Sequence, residues 1–360
     1  MKRPFKYLAL AEQLRNDILN GIYAGGEKID TEIDLSEKYQ MSRQAVRQAL
    51  DVLETENLIE RIRGSGTYVN RLKYNKTKTM QICVALNRAE GYFLPALLRG
   101  IENELTKCSY SLILAVTGNR IETERNVLLS CLEKQVDGLL IEPTQSALPN
   151  PNLYLYEEME SYGIPIVFIY SYYPNLKNPL YVAMNDKQGG YDAVCYLQKH
   201  GHKNIAGVFK NDDLVGHLRY AGFCEAMFKY NLNIQSPKII WFNSENLDNI
   251  LEKEENNEIL EAVKDCTAIV CQFDEPAVRI IDMLIKNGIR VPQDVAVISF
   301  DNSMYANINS IKITSFIHRT EEIGAIAAQK VINVLSGKTE TPTILDWELS
   351  EKESTNIQRE

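Results

Sequence analysis

Basic and amide side chains cluster at the start of one short segment, in an arrangement suited to nucleic acid. Arg43, Gln44 and Arg47 closely follow Ser42, and arginine and glutamine can reach base edges and phosphates in a major groove. A second polar group lies at a glycine-rich tip, where glycine permits close approach to a backbone. The candidate DNA contacts are Lys6, Ser42, Arg43, Gln44, Arg47, Arg63, Gly64, Ser65 and Gly66.

The elements that must position these side chains are a helix-turn-helix and a two-stranded wing. Apolar residues recur every three or four positions on both sides of a break at Gln40, Met41 and Ser42. Ser42 can cap the second helix, because its hydroxyl can accept from an early backbone N–H. Residues 61–69 have the pattern of a strand, a tip and a second strand. The apolar face comprises Leu35, Tyr39, Val46, Ala49, Leu50, Leu53, Leu58 and Ile59.

A second set of polar and aromatic residues follows strand-like runs in the long C-terminal part of the chain. Carboxylates and cations can hold sugar hydroxyls through paired hydrogen bonds, and an aromatic ring can stack on the C–H face of a pyranose. The charge at these positions is acidic overall, which favours a neutral sugar over an anionic ligand. The candidate sugar contacts are Tyr92, Phe93, Glu142, Tyr170, Lys210, Arg219, Asp274 and Asp301.

Apolar strand-like runs that alternate with amphipathic helical runs position these residues. Such alternation is typical of parallel sheets covered on both faces, which bind ligands at the carboxyl ends of their strands. About ten strands in roughly 270 residues exceed one sheet, so we expect an α/β fold with two lobes. The predicted strands are 81–87, 111–117, 138–142, 164–170, 180–185, 204–210, 239–243, 268–273 and 295–301, and the predicted helices include 94–107, 121–135, 188–200, 217–230 and 276–287.

The charge of the chain is unevenly distributed. The net charge is −9 over 360 residues, yet residues 71–78 carry four basic side chains and no acidic one. An acidic body joined to a small unit with a local basic face is compatible with DNA binding, because phosphate contacts depend on local Lys and Arg. We expect a DNA-binding domain over 1–70, a polar linker over 71–79 and a two-lobed sensor over 80–360.

Other classes of function find little support in the sequence. Seven cysteines without a C-x-x-C pair, and four histidines without ligand spacing, predict reduced thiols and neither metal nor cofactor. His318 follows a strand-like run, where we expect a packed histidine. No phosphate-binding loop, dinucleotide fingerprint or zinc-protease motif indicates an enzyme. A transport receptor would need a signal peptide, which the N-terminus lacks, and no stretch could span a membrane; we therefore expect a cytoplasmic protein.

The N-terminal segment resembles the GntR winged-helix family, whose recognition helix begins at a Ser-Arg pair and whose wing ends in Gly-x-Gly-Thr-Phe/Tyr-Val. The matching residues are Ser42 and Arg43, and the wing end runs from Gly64 to Val69. This resemblance implies DNA binding by residues 1–70, which we call the reader. A DNA-binding domain this small is expected to act as a two-fold homodimer on a palindromic site. Ile33 stands where many members carry a DNA-contacting arginine, which shifts recognition towards the second helix and the wing.

The C-terminal part resembles the LacI/GalR effector domain, itself similar to periplasmic sugar-binding proteins. The resemblance implies that Arg219 and Asp301 hold sugar hydroxyls and that Asp274 lies at a third common contact. It also implies induction, in which the sugar weakens operator binding of a repressor. The segments that carry the resemblance are 137–141, 163–167, 185–190, 200–205, 219–223, 291–295 and 299–302.

The pairing of a GntR-type reader with a LacI-type sensor is similar to that of the arabinose repressors of Gram-positive bacteria. This resemblance implies L-arabinose as the effector of a homodimeric repressor. Segments 88–90 and 272–273, which we expect at the cleft, are less typical of those proteins. Another pentose, a hexose, an oligosaccharide or a purine therefore stays open as the effector.

Overall fold

The computed structural model describes residues 6–19, 22–23, 26–56, 58–70, 78–232, 238–252, 257–308 and 310–356. These residues form two units, one from the N-terminal part of the chain and one that begins at Lys78. Most of the predicted linker, residues 71–77, lies outside the described residues.

The N-terminal unit consists of three helices and a hairpin. The helices are α1 (Lys6–Leu19), α2 (Glu32–Lys38) and α3 (Arg43–Thr55), and the hairpin pairs β1 (Ile59–Ile62) with β2 (Gly66–Val69). The predicted apolar face forms the core of this unit, except that Tyr39 and Leu58 are only half-buried. The predicted winged helix-turn-helix is therefore confirmed.

The second unit contains two six-stranded sheets, and the first of them belongs to the N-terminal lobe. All of its strands are parallel, in the spatial order β13-β7-β6-β5-β3-β4. The strands are β3 (Gln81–Leu86), β4 (Ser111–Val116), β5 (Gly138–Ile141), β6 (Ile166–Ile169), β7 (Tyr181–Met184) and β13 (Thr343–Leu345).

The sheet of the C-terminal lobe has the order β14-β12-β11-β10-β8-β9, with only β14 antiparallel to its neighbour. It repeats the winding of the first sheet, because β3 lies between β4 and β5 and, in the same way, β8 lies between β9 and β10. Its strands are β8 (Ile205–Lys210), β9 (Ile239–Phe242), β10 (Ala268–Cys271), β11 (Ala296–Asp301), β12 (Thr314–Ile317) and β14 (Glu348–Ser350).

Helices cover both sheets. Two helices, α4 and α13, pack on the apolar face of the first sheet, while α7 and α8 pack on one face of the second sheet and α11 on the other. The helices of this unit are α4 (Leu94–Lys107), α5 (Ile121–Glu133), α6 (Leu153–Ser161), α7 (Asp186–Lys199), α8 (Leu214–Lys229), α9 (Leu247–Glu252), α10 (Glu258–Val263), α11 (Asp274–Lys286), α12 (Tyr305–Ile308) and α13 (Thr320–Leu335).

The chain crosses between the two lobes three times. It leaves the first lobe between β7 and α7, returns between β12 and α13, and leaves again between β13 and β14. Asn185 in the first crossing donates to Asp346 in the third, over 3.1 Å. The predicted α/β fold with two lobes is confirmed, and all nine predicted strands are present with slightly shorter bounds. The crossings were not predicted from the sequence, because the strand and helix pattern does not show which sheet a strand joins.

Candidate functional site

The N-terminal unit presents one polar face of α3. The helix begins as predicted, because Ser42 Oγ accepts from the backbone N–H of Ala45 over 3.3 Å. Val46, Ala49, Leu50 and Leu53 face the core. The opposite face carries the exposed side chains of Arg43, Gln44, Arg47 and Gln48.

An ion pair joins this face to α2. The Arg47 guanidinium donates to both carboxylate oxygens of Glu32, over 2.9 and 3.2 Å. The hydrogen bonds from Arg47 lower the pKa of Glu32 below its ordinary value. Ile33, the neighbour of Glu32, is 47% exposed on α2. The pair therefore gives the Arg47 cation of α3 a solvent-exposed partner on α2, while Ile33 adds no charge.

The tip of the wing adopts a conformation that favours glycine. Gly64 has a φ of 79° and Gly66 a φ of 140°, both in the left-handed half of backbone space. Ser65 between them bonds the hydroxyl of Tyr68 over 2.6 Å, and Arg63 is exposed. The four predicted wing residues thus lie together at one accessible turn. Lys6 is the first residue of α1, and its side chain lies outside the described residues, as do Lys2 and Arg3.

The second candidate site is a cavity of about 440 Å³ between the two lobes. It lies at the carboxyl ends of β3, β5 and β6 in one lobe and of β8, β10 and β11 in the other. These are the positions where the winding of each sheet changes direction, and open α/β sheets bind ligands at such positions. Seven of the eight predicted sugar contacts line this cavity, namely Tyr92, Phe93, Glu142, Tyr170, Lys210, Arg219 and Asp301.

Arg219 is the most firmly held cation of the cavity. Its Nε donates to Asp186 over 2.8 Å, and a second guanidinium nitrogen donates to the carbonyl of Gln272. The guanidinium carbon lies 4.1 Å from the ring centroid of Phe300. Burial raises the pKa of Asp186 to about 6, although Arg219 opposes this shift. Gly190 permits the approach of α8 to α7, since a Cβ there would lie 1.9 Å from the carbonyl oxygen of Arg219.

An aromatic wall lines the side of the cavity formed by the first lobe. The ring centroid of Phe93 lies 4.4 Å from that of Tyr92, 4.7 Å from that of His318 and 6.0 Å from that of Tyr170. Burial and the charge of Arg219 lower the pKa of His318 to about 3, so the ring is neutral at physiological pH. His318 is packed, as expected, and it also lines the cavity. This wall offers apolar ring faces to a ligand.

Several hydrogen bonds join the two lobes across the cavity, among them one from Asn119 to Ser244 over 2.7 Å. The hydroxyl of Tyr92 donates to Asp301 over 2.6 Å, and these residues belong to different lobes. Burial raises the pKa of Asp301 to about 7, while Arg219 and the Tyr92 hydrogen bond oppose the shift. The φ of Asp301 is 103°, a conformation that costs energy for any residue except glycine. The carboxylate of Asp301 is thus presented to the cavity by a strained backbone.

Glu142 and Lys210 add one charge of each sign from opposite lobes. Glu142 accepts from the backbone N–H of Asn87 over 2.9 Å, and burial raises its pKa. Lys210 pairs with Asp212 at 2.7 Å and with Asp213 at 3.0 Å. Burial lowers the pKa of Lys210, but these two carboxylates more than offset that effect and the pKa is raised. Lys210 is therefore charged and already partnered within its own lobe.

The structure corrects the placement expected for Asp274. Its side chain is fully buried behind the cavity wall and is absent from the lining. One carboxylate oxygen accepts from the hydroxyls of Ser299 and Ser315, and the other accepts from the backbone N–H of Ser303 over 2.6 Å. Asp274 therefore braces the segment after β11 and does not reach a ligand in the cavity.

The cavity also contains residues that were not among the predicted sugar contacts. Gln272, expected at the cleft, follows β10 directly, and Asp186 lies two residues beyond β7; position after a strand is the signal by which Glu142 was chosen. Tyr305 and Glu275 lie on helices that begin beyond strand ends, and they could not be separated from surface residues by pattern alone.

Within the described ranges, no group of three or more His, Cys, Asp or Glu side chains is arranged to hold a metal ion. The seven cysteines, all within the described residues, form no disulfide with one another. None of the described helices has both the length and the apolar character needed to cross a bilayer.

Comparison with known proteins assigns both units to families. Residues 6–69 match the bacterial regulatory proteins of the gntR family, and residues 194–355 match the periplasmic binding protein-like domain. The second unit has the fold of the transcription regulator CcpA of Lactococcus lactis, with a TM-score of 0.68 at 22% identity over 78% of this chain and 100% of that one. Both expected resemblances are thereby confirmed.

Two relatives extend along nearly the whole chain. An arabinose metabolism transcriptional repressor of Geobacillus stearothermophilus is 34% identical over 342 residues, which are 93% of this chain and 92% of the relative. Another from Halalkalibacterium halodurans is 33% identical over 336 residues, which are 92% of this chain and 89% of the relative. The chain therefore belongs to the family of arabinose metabolism transcriptional repressors.

Proposed function

We propose that this protein represses transcription by binding operator DNA through α3 and the wing, and that a neutral sugar in the cleft weakens this binding. The observation that carries the proposal is the presence in one chain of an exposed Arg/Gln helix face and a cavity walled by aromatic rings and buried charges. The two relatives are named for arabinose metabolism, so we propose L-arabinose as the sugar. The protein acts without catalysis, in the cytoplasm, where operator DNA is.

The proposed DNA contacts divide by role. Arg43, Gln44 and Arg47 read base edges and phosphates in the major groove, and Ser42 binds a phosphate beside the start of α3. The wing tip approaches the backbone or the minor groove with Arg63, Gly64, Ser65 and Gly66. Lys6 adds a phosphate contact. Support for this division comes from the exposure of the α3 face and the glycine-dependent turn of the wing.

The proposed sugar contacts also divide by role. Arg219, Asp301, Glu142 and Lys210 hold hydroxyls, because paired charged groups can both donate and accept. Tyr92, Phe93 and Tyr170 face the C–H side of the sugar ring. Asp274 is no longer proposed as a contact, because its carboxylate binds Ser299, Ser303 and Ser315 behind the cavity wall.

We propose a homodimer as the active form. A reader of this size spans only a few base pairs, and two copies related by a two-fold axis can read a palindrome. Sugar binding draws the two lobes together and thereby changes the relative position of the two DNA-binding domains in the dimer. The coupling between sugar and operator is about 1–3 kcal/mol and is reciprocal.

The test uses the full-length protein and duplexes selected by it from a random DNA library. Fluorescence anisotropy of a selected duplex is followed while L-arabinose, D-xylose, D-galactose or a purine base is added. We expect L-arabinose to weaken the complex about fivefold to a hundredfold, and sedimentation to show two chains per duplex.

Three results would contradict the proposal at different points. Tightening of the complex by L-arabinose would reverse the sign of regulation. Release by a purine alone would change the effector class. Consumption of the sugar during the titration would make the protein an enzyme.

A further inference from the structure

Gln272 places a neutral hydrogen-bonding group on the cavity wall that the proposed contacts do not use. It follows β10 and is 2% exposed. Among the described residues, its side-chain oxygen Oε1 has no hydrogen-bond partner. A buried acceptor without a partner destabilises a protein, so a residue of this kind is retained at a cost to stability.

The backbone of Gln272 is fixed on both sides. Its N–H donates to the carbonyl of Val208 on β8 over 2.8 Å, and its own carbonyl accepts from the guanidinium of Arg219. The main chain of Gln272 therefore has a set position on the cavity wall, beside Arg219.

Tyr170 provides a similar group from the opposite lobe. Its hydroxyl is buried and also lacks a hydrogen-bond partner within the described part of the chain. The ring is held by Phe93 and by His318, whose ring centroid is 5.2 Å away. Gln272 and Tyr170 thus line one cavity from two lobes, each with an unused polar atom.

The charged groups of the cavity differ from this pair because they already have partners. Arg219 binds Asp186, Asp301 accepts from Tyr92, Lys210 binds two carboxylates, and Glu142 accepts from Asn87. A ligand hydroxyl that approaches these groups shares or replaces an existing bond. A hydroxyl that reaches Gln272 or Tyr170 gains a bond that nothing else supplies.

We propose that Gln272 is a specificity-determining residue, whose Oε1 accepts a hydrogen bond from one sugar hydroxyl while Tyr170 Oη bonds the sugar from the other lobe. This inference rests on the proposed function, since the ligand is the neutral sugar of the same cleft. A site that hydrogen-bonds a hydroxyl rejects the analogue lacking it, because its buried polar groups then stay unpaired.

The test compares Gln272→Met, which keeps the length of the side chain, with Gln329→Met, a matched change at an exposed position of α13. Full-length proteins are titrated calorimetrically with L-arabinose and with each of its monodeoxy analogues. The unchanged protein is expected to bind one analogue about tenfold to a hundredfold more weakly than L-arabinose. Gln272→Met binds L-arabinose and that analogue equally weakly, whereas Gln329→Met keeps the discrimination.

Thermal unfolding without ligand separates a role in specificity from a merely structural role. Replacement of an unpaired buried amide by an apolar side chain of similar shape is expected to raise the Tm of Gln272→Met by about 2–4 °C. A structural role predicts a lower Tm instead. Tyr170→Phe, which removes only the hydroxyl, is expected to lose discrimination at a hydroxyl while keeping the aromatic wall.

Different results overturn different statements. If the unchanged protein binds L-arabinose and Gln272→Met retains both its affinity and its discrimination, the role assigned to Gln272 is wrong while the proposed function stands. If the unchanged protein binds none of the arabinose compounds, the proposed effector falls, and the role assigned to Gln272 falls with it.

Discussion

Two arginine–carboxylate pairs, one in each candidate site, have nearly the same length and very different surroundings. Arg47 lies 2.9 Å from Glu32 with 62% of its side chain exposed, whereas Arg219 lies 2.8 Å from Asp186 with 5% exposed. Water solvates the two side chains of an exposed pair whether they are paired or apart, so they separate at little cost in free energy. Separation of a buried pair leaves an uncompensated charge.

The difference suits the two proposed tasks. Arg47 can leave Glu32 for a base or a phosphate, because solvent and DNA replace what it loses. Arg219 instead stays where it is, so that the cleft is organised before a sugar arrives and less ordering is needed on binding. Arg47 can thus exchange Glu32 for DNA, whereas Arg219 keeps Asp186 as its partner when the sugar binds.

Arg219→Ala is expected to have the largest effect, since it breaks the buried pair. The loss of the guanidinium leaves Asp186 buried without its cation, which should lower the free energy of unfolding by ~3–5 kcal/mol. Sugar binding should be lost, while operator binding at a permissive temperature is retained. Urea unfolding and sugar titration measure these effects, and the control is Arg99→Ala, whose pair with Glu321 is exposed. Equal effects of the two variants would end the contrast between buried and exposed pairs.

The buried carboxylates of the cleft should make the stability depend on pH. The pKa of Asp301 is raised from 3.8 to about 7, so between these values the folded protein binds protons that the unfolded chain has released. The free energy of unfolding therefore falls as pH rises from about 4 to about 7, by on the order of 2–4 kcal/mol for this residue, and then levels off. Asp186 contributes in the same direction, up to about pH 6.

Asp301→Asn removes the contribution of Asp301 to the pH dependence of the free energy of unfolding. The profile of stability against pH, measured by urea unfolding, should therefore become flatter. No such change is expected for Asp294→Asn, because the pKa of that exposed carboxyl is lowered by Arg290. A profile that keeps its slope in Asp301→Asn would show that this carboxylate is not the group being titrated.

Arg47→Ala tests the exposed pair. We expect operator affinity to fall about tenfold to a hundredfold, because a side chain that contacts bases or phosphates is removed. The midpoint of thermal unfolding should hardly change. Lys38→Ala removes a cation that pairs with Asp30 in the same unit, and it controls for net charge. If both variants weakened DNA binding equally, Arg47 would contribute only general charge.

Ile33→Arg should have the smallest effect on operator affinity. It should raise this affinity, whereas Arg47→Ala should lower it. An arginine at this exposed position adds one phosphate contact, which raises operator affinity severalfold and steepens its salt dependence by about one ion. Anisotropy at a series of salt concentrations measures both quantities. The control is Ile22→Arg, at a position that is 63% exposed. An equal gain from both variants would argue against a contact specific to Ile33.

The reader could be predicted almost completely from the sequence. Its helix start at Ser42, its apolar face and its glycine tip depend on residues close together in the chain, and local patterns record such relations. The ion pair between Glu32 and Arg47 was not foreseen, because it joins two helices across a turn.

The cleft could be predicted only in part. The rule that strand ends meet at one edge selected seven lining residues, but it also selected Asp274, since a pattern does not show which way a side chain points. Asp186 and Gln272 were not predicted as sugar contacts, although both follow strands and Gln272 was expected at the cleft. Their importance depends on Arg219, which contacts both of them from a different helix.

The threading of the chain through both lobes has a consequence for synthesis on the ribosome. The sheet that begins at β3 is completed by β13, and its apolar face is covered by α13, more than two hundred residues later. Neither lobe corresponds to a continuous stretch of the gene. The winged helix can fold as soon as it emerges, but the first lobe cannot close its core until residues up to Leu345 have been made. During most of translation the winged helix is therefore folded while both lobes are still incomplete. A gene cut between β7 and α7 would encode neither lobe as a complete folding unit.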